Sequence, residues 1–355
     1  MANEKNPGYY LEKALVDSGM SRKELAQRIC ISEKHISTVI GGEKGISAAF
    51  ARKLGYVFHD TAYWLNIQAE YDAEQSQIKE QNSISADEID LLKPMHDIIA
   101  CFIEKKYMHN DCGDASKVMQ LRELLNVSDL TLIPNITYNA AYRAQLSGNA
   151  KVDPYVLFAW QRLCEKETES VNVSGALNKH ALKNSLSDIK QMMFGDINDG
   201  IQGLQKLLAM CGIAFQVVPN FRGAPVQGFI KETVDHRLIL CLTIRGKRAD
   251  RFWFTLFHEI AHVLNGDYSS RFVDFDSVQS EKEAKADAFA GDYLIAPQLY
   301  REFLRSNHSI TWPVIESLAK EAHVLPCIVL GRLQKDGILE WSDYPDKVLY
   351  YQWVA

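Results

Sequence analysis

The residues best equipped for chemistry are the run His258-Glu259-Ile260-Ala261-His262. Two histidines four residues apart lie one above the other on a helix face. Their imidazoles can therefore converge on one tetrahedral zinc ion. Glu259 is rotated by roughly 60° from His262, because 3.6 residues make a turn, so its carboxylate falls beside such an ion rather than on it. From there it can take a proton from water activated at the metal and later give it to a leaving amine. A short pattern of this kind also arises by chance, so context must decide. The context is WFTLFHEIAHVL, an apolar helical run in which two histidines and a glutamate are costly to bury without a partner.

A catalytic zinc needs a third ligand and one open position. A histidine six residues beyond His262 would complete one known arrangement, but Tyr268 stands there. The third ligand is therefore expected to be a carboxylate. The stretch Glu283-Ala-Lys-Ala-Asp287 puts two acids on one helical face. Glu283 is the expected ligand, with Asp287 behind it orienting a ligand histidine. Glu281, Asp267, Asp274 and Asp276 remain rivals.

Several elements must position these groups. Arg251–Leu264 reads as one apolar helix and a second runs from about Ser280 to Ile295. Upstream, Cys211–Val218, Val226–Ile230 and Leu238–Ile244 are short β-prone runs punctuated by Pro219, Gly223 and Pro225. Between Leu91 and Phe194 the apolar spacing is helical, and Asp153-Pro154 forms a helix start. Ala73–Asp90 is polar and reads as a linker or an exposed helix end. The domains expected are 1–72, a linker at 73–90, a helical middle region at 91–194, and 195–355.

The first 70 residues carry a second pattern. Ser21 and Glu24 form a capping box opening a short helix, Arg22–Arg28. Ser32 caps another helix that reaches Ile40, where Gly41-Gly42 stops it. With a first helix at Tyr10–Ser18, this is a helix-turn-helix arrangement. Ser32, Glu33, Lys34, His35, Ser37 and Thr38 are its exposed positions. Ser32, Lys34, His35, Ser37 and Thr38 can donate to bases or phosphates of a double-stranded DNA operator. The segment holds nine Lys/Arg against eight Asp/Glu, so each protomer binds modestly and a homodimer is expected.

Two family resemblances follow from these residues. The run Gly19–Gly41, continued by AYWLNIQAEYD, resembles the Cro/repressor helix-turn-helix, closest to antitoxins of the HigA kind; that resemblance implies a toxin partner. The runs DRFWFTLFHEIAHVL at 250–264 and EAKADAFAGDYLIAP at 283–297 resemble the ImmA/IrrE metallopeptidases. That resemblance extends weakly upstream, through 141–163 and the GIAFQVVP strand, and also covers LPCIVLGRLQKDG at 325–337. It implies a zincin-like core, a small sheet over the histidine helix, and cleavage of a repressor or regulatory protein under stress. Zinc is the implied ion, with Mn²⁺ or another divalent ion also accepted. The fold class expected is α+β, mostly helical: an N-terminal helix-turn-helix bundle, a helical middle region and a C-terminal zincin-like domain with a small β-sheet.

Composition bounds the rest. The net charge of −6 offers no global field for nucleic acid. Seven scattered cysteines without a C-x-x-C pair suggest reduced thiols in the cytoplasm. The polar N-terminus is not expected to act as a signal peptide, and no window is long and apolar enough for a membrane span. Arg245, Lys247, Arg248 and Arg251 read as a solvated basic loop, and Trp253 as core. Tyr268 and His323 are weaker candidates for oxyanion stabilisation. The leading expectation is a DNA-binding transcriptional regulator with a zinc endopeptidase domain, acting on a repressor or on its own chain at 73–90. The alternative is an antitoxin-like repressor whose peptidase-fold domain is a non-catalytic sensor or docking module.

Overall fold

The computed structural model describes residues 6–110, 113–136, 152–233, 236–243, 245–269, 278–307 and 309–351. The chain divides into two compact units, Met1–Ile89 with Cys112–Met119, and Asp90–Asp111 with Gln120–Ala355. The elements are mostly helices, with one small mixed sheet.

In the first unit, helices span Pro7–Asp17, Arg22–Arg28, Glu33–Ile40, Ala48–Leu54 and Thr61–Asn82. Each begins at a side-chain cap: Asn6, Ser21, Ser32, Ser47 and Asp60 accept backbone N–H groups of the first turn. Such caps satisfy donors that a helix start leaves open. Glu24, expected to reach back to Ser21, instead holds Arg28 at 2.7 Å. Leu11, Leu25, Ile36, Phe50, Leu54 and Trp64 form the core. The first helix starts three residues earlier than expected, because Pro7 suits a first helical turn. In the polar stretch at 73–90 the exposed-helix-end reading fits and the linker reading does not. Residues 73–82 continue the helix Thr61–Asn82, and Ala86–Asp90 adds another turn. Glu, Gln and Ala in 73–82 are good helix formers, so the polar composition that suggested a linker also suits a solvated helix.

In the second unit, Asp153 caps the helix Pro154–Glu169 through the N–H groups of Tyr155 and Val156, as the Asp-Pro pair predicts. Three strands follow a helix at Ile197–Met210: β1 (Ile213–Val218), β2 (Gly228–Glu232) and β3 (Leu238–Thr243). Their order is β1-β3-β2. β1 pairs in parallel with β3, Ile213 opposite Leu238. β2 pairs antiparallel with β3, Gly228 opposite Leu242. Every residue of β3 is buried, which fits its unbroken apolar run. One face packs Phe215, Leu240 and Leu242 into the core formed with Leu204, Leu256 and Ile260. On the other, Trp160 meets Phe229 edge to face, and the Cys241 thiol points at the Cys164 carbonyl.

The histidine helix spans Ala249–Asn265 and the second acidic helix Val278–Leu294. Trp253 is fully buried, as expected, and its Nε1–H donates to Tyr351 Oη at 2.6 Å. Backbone bonds from Ala249 to Leu349 and from Tyr351 to Lys247 tie the C-terminal segment to the start of that helix. Arg248 departs from the solvated-loop reading: it forms a two-pronged pair with Asp250 at 3.0 and 2.8 Å, and its side chain is 12% exposed. The Arg245 side chain, residues 141–151, Asp274 and Asp276 lie outside the description. No described helix is long and apolar enough to cross a membrane.

Candidate metal centre

The histidine helix is buried along most of its length, and His258 and His262 are completely so. Their Nε2 atoms face each other at 3.0 Å. Glu283, 25 residues beyond His258, closes the triangle. Its Oε2 lies 3.1 Å from His258 Nε2 and its Oε1 lies 3.4 Å from His262 Nε2. These three residues are the described group whose donor atoms all fall within 4.8 Å of one another.

The proton inventory tells what belongs at the centre of that triangle. Asp287 Oδ1 lies 2.8 Å from His258 Nδ1. A carboxylate can only accept, so the proton sits on Nδ1 and Nε2 presents a lone pair inward. Asp267 Oδ2 stands 3.5 Å from His262 Nδ1 and favours the same tautomer. Two lone pairs and a carboxylate then face one point. Glu283 Oε1 is buried and has no hydrogen-bond partner among the described residues. A tetrahedral ion with ligands at about 2.1 Å has edges of about 3.4 Å, close to the separations seen. The residues fit a divalent ion.

Without an ion, protons take its place. Burial disfavours the His258 imidazolium, but Asp287 and Glu283 outweigh it and push His258 up to about 9. Burial likewise opposes the Glu283 carboxylate, but the two imidazoles bring it down to about 2. For Asp287, too, burial is outweighed: His258 and Lys335 hold its carboxyl below the ordinary value.

Local features make this geometry. Gly266 ends the histidine helix at φ 77°, a left-handed turn that suits glycine. The chain thereby folds back at once, carrying Asp267 to His262. Glu259 is 1% exposed. A Cβ on Gly228, the first residue of β2, would lie 2.1 Å from Glu259 Oε1, so the strand meets the carboxylate with bare backbone. Lys335 Nζ completes the support at 3.0 Å from Asp287 Oδ2.

Among the rivals to Glu283, Glu281 is exposed and paired with Lys285 at 2.7 Å, while Asp267 backs a histidine. Tyr268 lies half-buried beneath Lys179, and His323 is exposed in the turn before the helix Pro326–Lys335. Neither belongs to the donor group. Sequence reading missed Gly228 and Lys335. A glycine inside a β-prone run was the one visible sign of the first; the second had none.

In the first unit, Ser32, Glu33 and Lys34 stand at the start of the helix Glu33–Ile40, with Glu33 and Lys34 exposed. His35, Ser37 and Thr38, expected to be exposed, are half-buried. His35 packs edge to face on Phe50, and the Thr38 hydroxyl donates to the His35 carbonyl at 2.8 Å.

Comparison with known proteins matches residues 227–334 to the IrrE N-terminal-like domain, Peptidase_M78. The matched stretch contains Gly228, His258, Glu259, His262, Glu283 and Asp287, and it ends one residue before Lys335. Over 83 residues, 23% of this chain and 70% of the other, the chain is 36% identical to virulence-associated protein A′ of Dichelobacter nodosus.

Proposed function

We propose, for a chain whose residues 227–334 match the IrrE N-terminal-like domain of Peptidase_M78, that it hydrolyses peptide bonds with a divalent ion, zinc by preference. The observation that carries this reading is the convergence of His258, His262 and Glu283 at 3.0–3.4 Å, with a further acid, Glu259, buried on the histidine helix. An ion that only stabilised the fold would not require that acid.

When bound, the ion supplies a Lewis acid that polarises a carbonyl and makes water more acidic. Glu259 takes the proton from water on its carboxylate and returns it to the departing amine nitrogen. Asp287 keeps the His258 proton on Nδ1, and Asp267 does the same for His262, so both Nε2 lone pairs stay directed inward. Gly228 leaves the space that the Glu259 carboxylate occupies.

The first unit, on this reading, binds an operator through Ser32, Lys34 and their neighbours, and the whole chain is a regulator acting in a stress response. Two capped short helices with an exposed, basic-containing start support it. A repressor or other regulatory protein is a better substrate than the chain's own residues 73–90. Helix occupies most of that stretch, whereas proteolysis favours exposed loop segments.

The test is metal analysis of the purified protein beside hydrolysis of an unfolded protein such as casein, for wild type and Glu259→Gln. Retained metal with abolished hydrolysis in the variant supports the enzyme. Equal behaviour of the two proteins overturns it and leaves a docking module.

A further inference from the structure

A cavity of about 760 Å³ has Asp287, the partner of His258 Nδ1, in its wall. Its walls come from the histidine helix, the Glu283 helix and Pro326–Lys335, with Trp341 at one side. The size suits a small molecule. Phe254, Leu294, Ile328 and Trp341 give it an apolar lining.

Its charged groups are unequally satisfied. Three acids line it, and each is already engaged. Asp250 holds Arg248 in two bonds, Asp287 holds His258 and Lys335, and Asp336 accepts from Tyr300 at 2.8 Å with Arg332 Nε 3.6 Å away. The two guanidiniums in the wall are less closely matched. Arg332 stands 3.6 Å from Asp336 through Nε and 4.0 Å from Asp292 through Nη2, beyond hydrogen-bond length, and its buried Nη1 has no hydrogen-bond partner among the described residues. Arg251 is exposed, lies 5.7 Å from the centre of the Trp341 ring and pairs with no carboxylate among the described residues. The donors left over in this apolar cavity are therefore cationic. A guanidinium fork matches a carboxylate in shape and charge.

We propose that this cavity is a binding site for a small amphipathic carboxylic acid, with its apolar body against Phe254, Leu294, Ile328 and Trp341 and its carboxylate on Arg251 and Arg332. No bond is made or broken. The bound acid occupies the cavity that Asp287 lines, and Asp287 orients His258, so the site has a regulatory position beside the metal centre.

Decanoate and its uncharged counterpart 1-decanol are the probes, titrated into the full-length metal-loaded protein by calorimetry and by tryptophan fluorescence. Decanoate is expected to saturate one site at least tenfold more tightly than 1-decanol. Arg251→Gln and Arg332→Gln are each expected to weaken decanoate about tenfold while leaving 1-decanol unchanged. Ala288→Trp, which fills the cavity from its wall, is expected to abolish both. Arg332 also stacks on Tyr300, so its variant is read only if its thermal transition matches wild type; Arg251→Gln carries the test otherwise. Equal binding of the two probes, absence of saturable decanoate binding, or an unchanged decanoate affinity in Arg251→Gln overturns the proposal.

Discussion

Gly228 and Glu259 occupy one space: the first residue of β2 approaches the carboxylate so closely that an added Cβ would sit 2.1 Å from Oε1 and 2.6 Å from Cδ. Glu259 is thereby held between a strand and its own helix, fixed in one place. Gly228→Ala must push it away. The variant is expected to lose about 1–3 kcal/mol of stability from overpacking. Its hydrolysis should fall by about 10²-fold or more as the proton acceptor moves, with metal content unchanged. Calorimetry and a casein assay check this; a fully active Gly228→Ala would show that the carboxylate needs no such seat.

Asp287 acts on the ion through His258. Asp287→Ala removes the acceptor for the Nδ1 proton and frees the ring to turn. Metal affinity is expected to drop by about 10- to 100-fold, measured by competition with a chelating dye. Lys335→Met, which leaves Asp287 in place, should cause a smaller drop. An unchanged affinity in Asp287→Ala would contradict the role given to that 2.8 Å bond.

The metal-stripped protein should show a pH window set by two groups. His258 is raised from 6.5 to about 9, so its contribution to stability is complete below about 6.5 and disappears as pH rises through about 9. Glu283 is lowered from 4.5 to about 2, so its contribution is complete above about 4.5 and disappears as pH falls towards 2. In chelator, the thermal midpoint is expected to decline between about pH 6.5 and 9 relative to His258→Asn. Saturating zinc should remove that decline, because the ion replaces the proton. A midpoint that rises across that range in chelator, relative to the variant, would refute the assignment.

In the first unit, Ser32 caps the helix through the His35 N–H at 3.2 Å. Ser32→Ala is expected to lower stability by about 1 kcal/mol. Lys34 is exposed, so Lys34→Ala should leave the thermal midpoint in place. If the exposed helix start meets an operator, Lys34→Ala weakens binding and makes the salt slope shallower by about 0.9, the increment for one phosphate. Fluorescence anisotropy at several salt concentrations reads both quantities.

The amino-acid sequence by itself determined the local arrangements. Four-residue spacing put His258 above His262 and Glu283 above Asp287, because helix periodicity is a property of adjacent turns. Side-chain caps at Ser21, Ser32 and Asp153, and the unbroken apolar run of β3, were legible for the same reason. Helix spacing favoured Glu283 over its rivals, but tertiary structure decided the pairings: packing turned Glu283 towards the two Nε2 atoms, Glu281 outward to Lys285 and Asp267 to Nδ1 of His262. It also decided that 73–82 is helix and that His35 lies against Phe50. Gly228, Lys335 and the cavity lined by Asp287 depend on contacts between segments remote along the chain. Periodicity describes a residue's neighbours one turn away and carries no information about which distant segment will cover it.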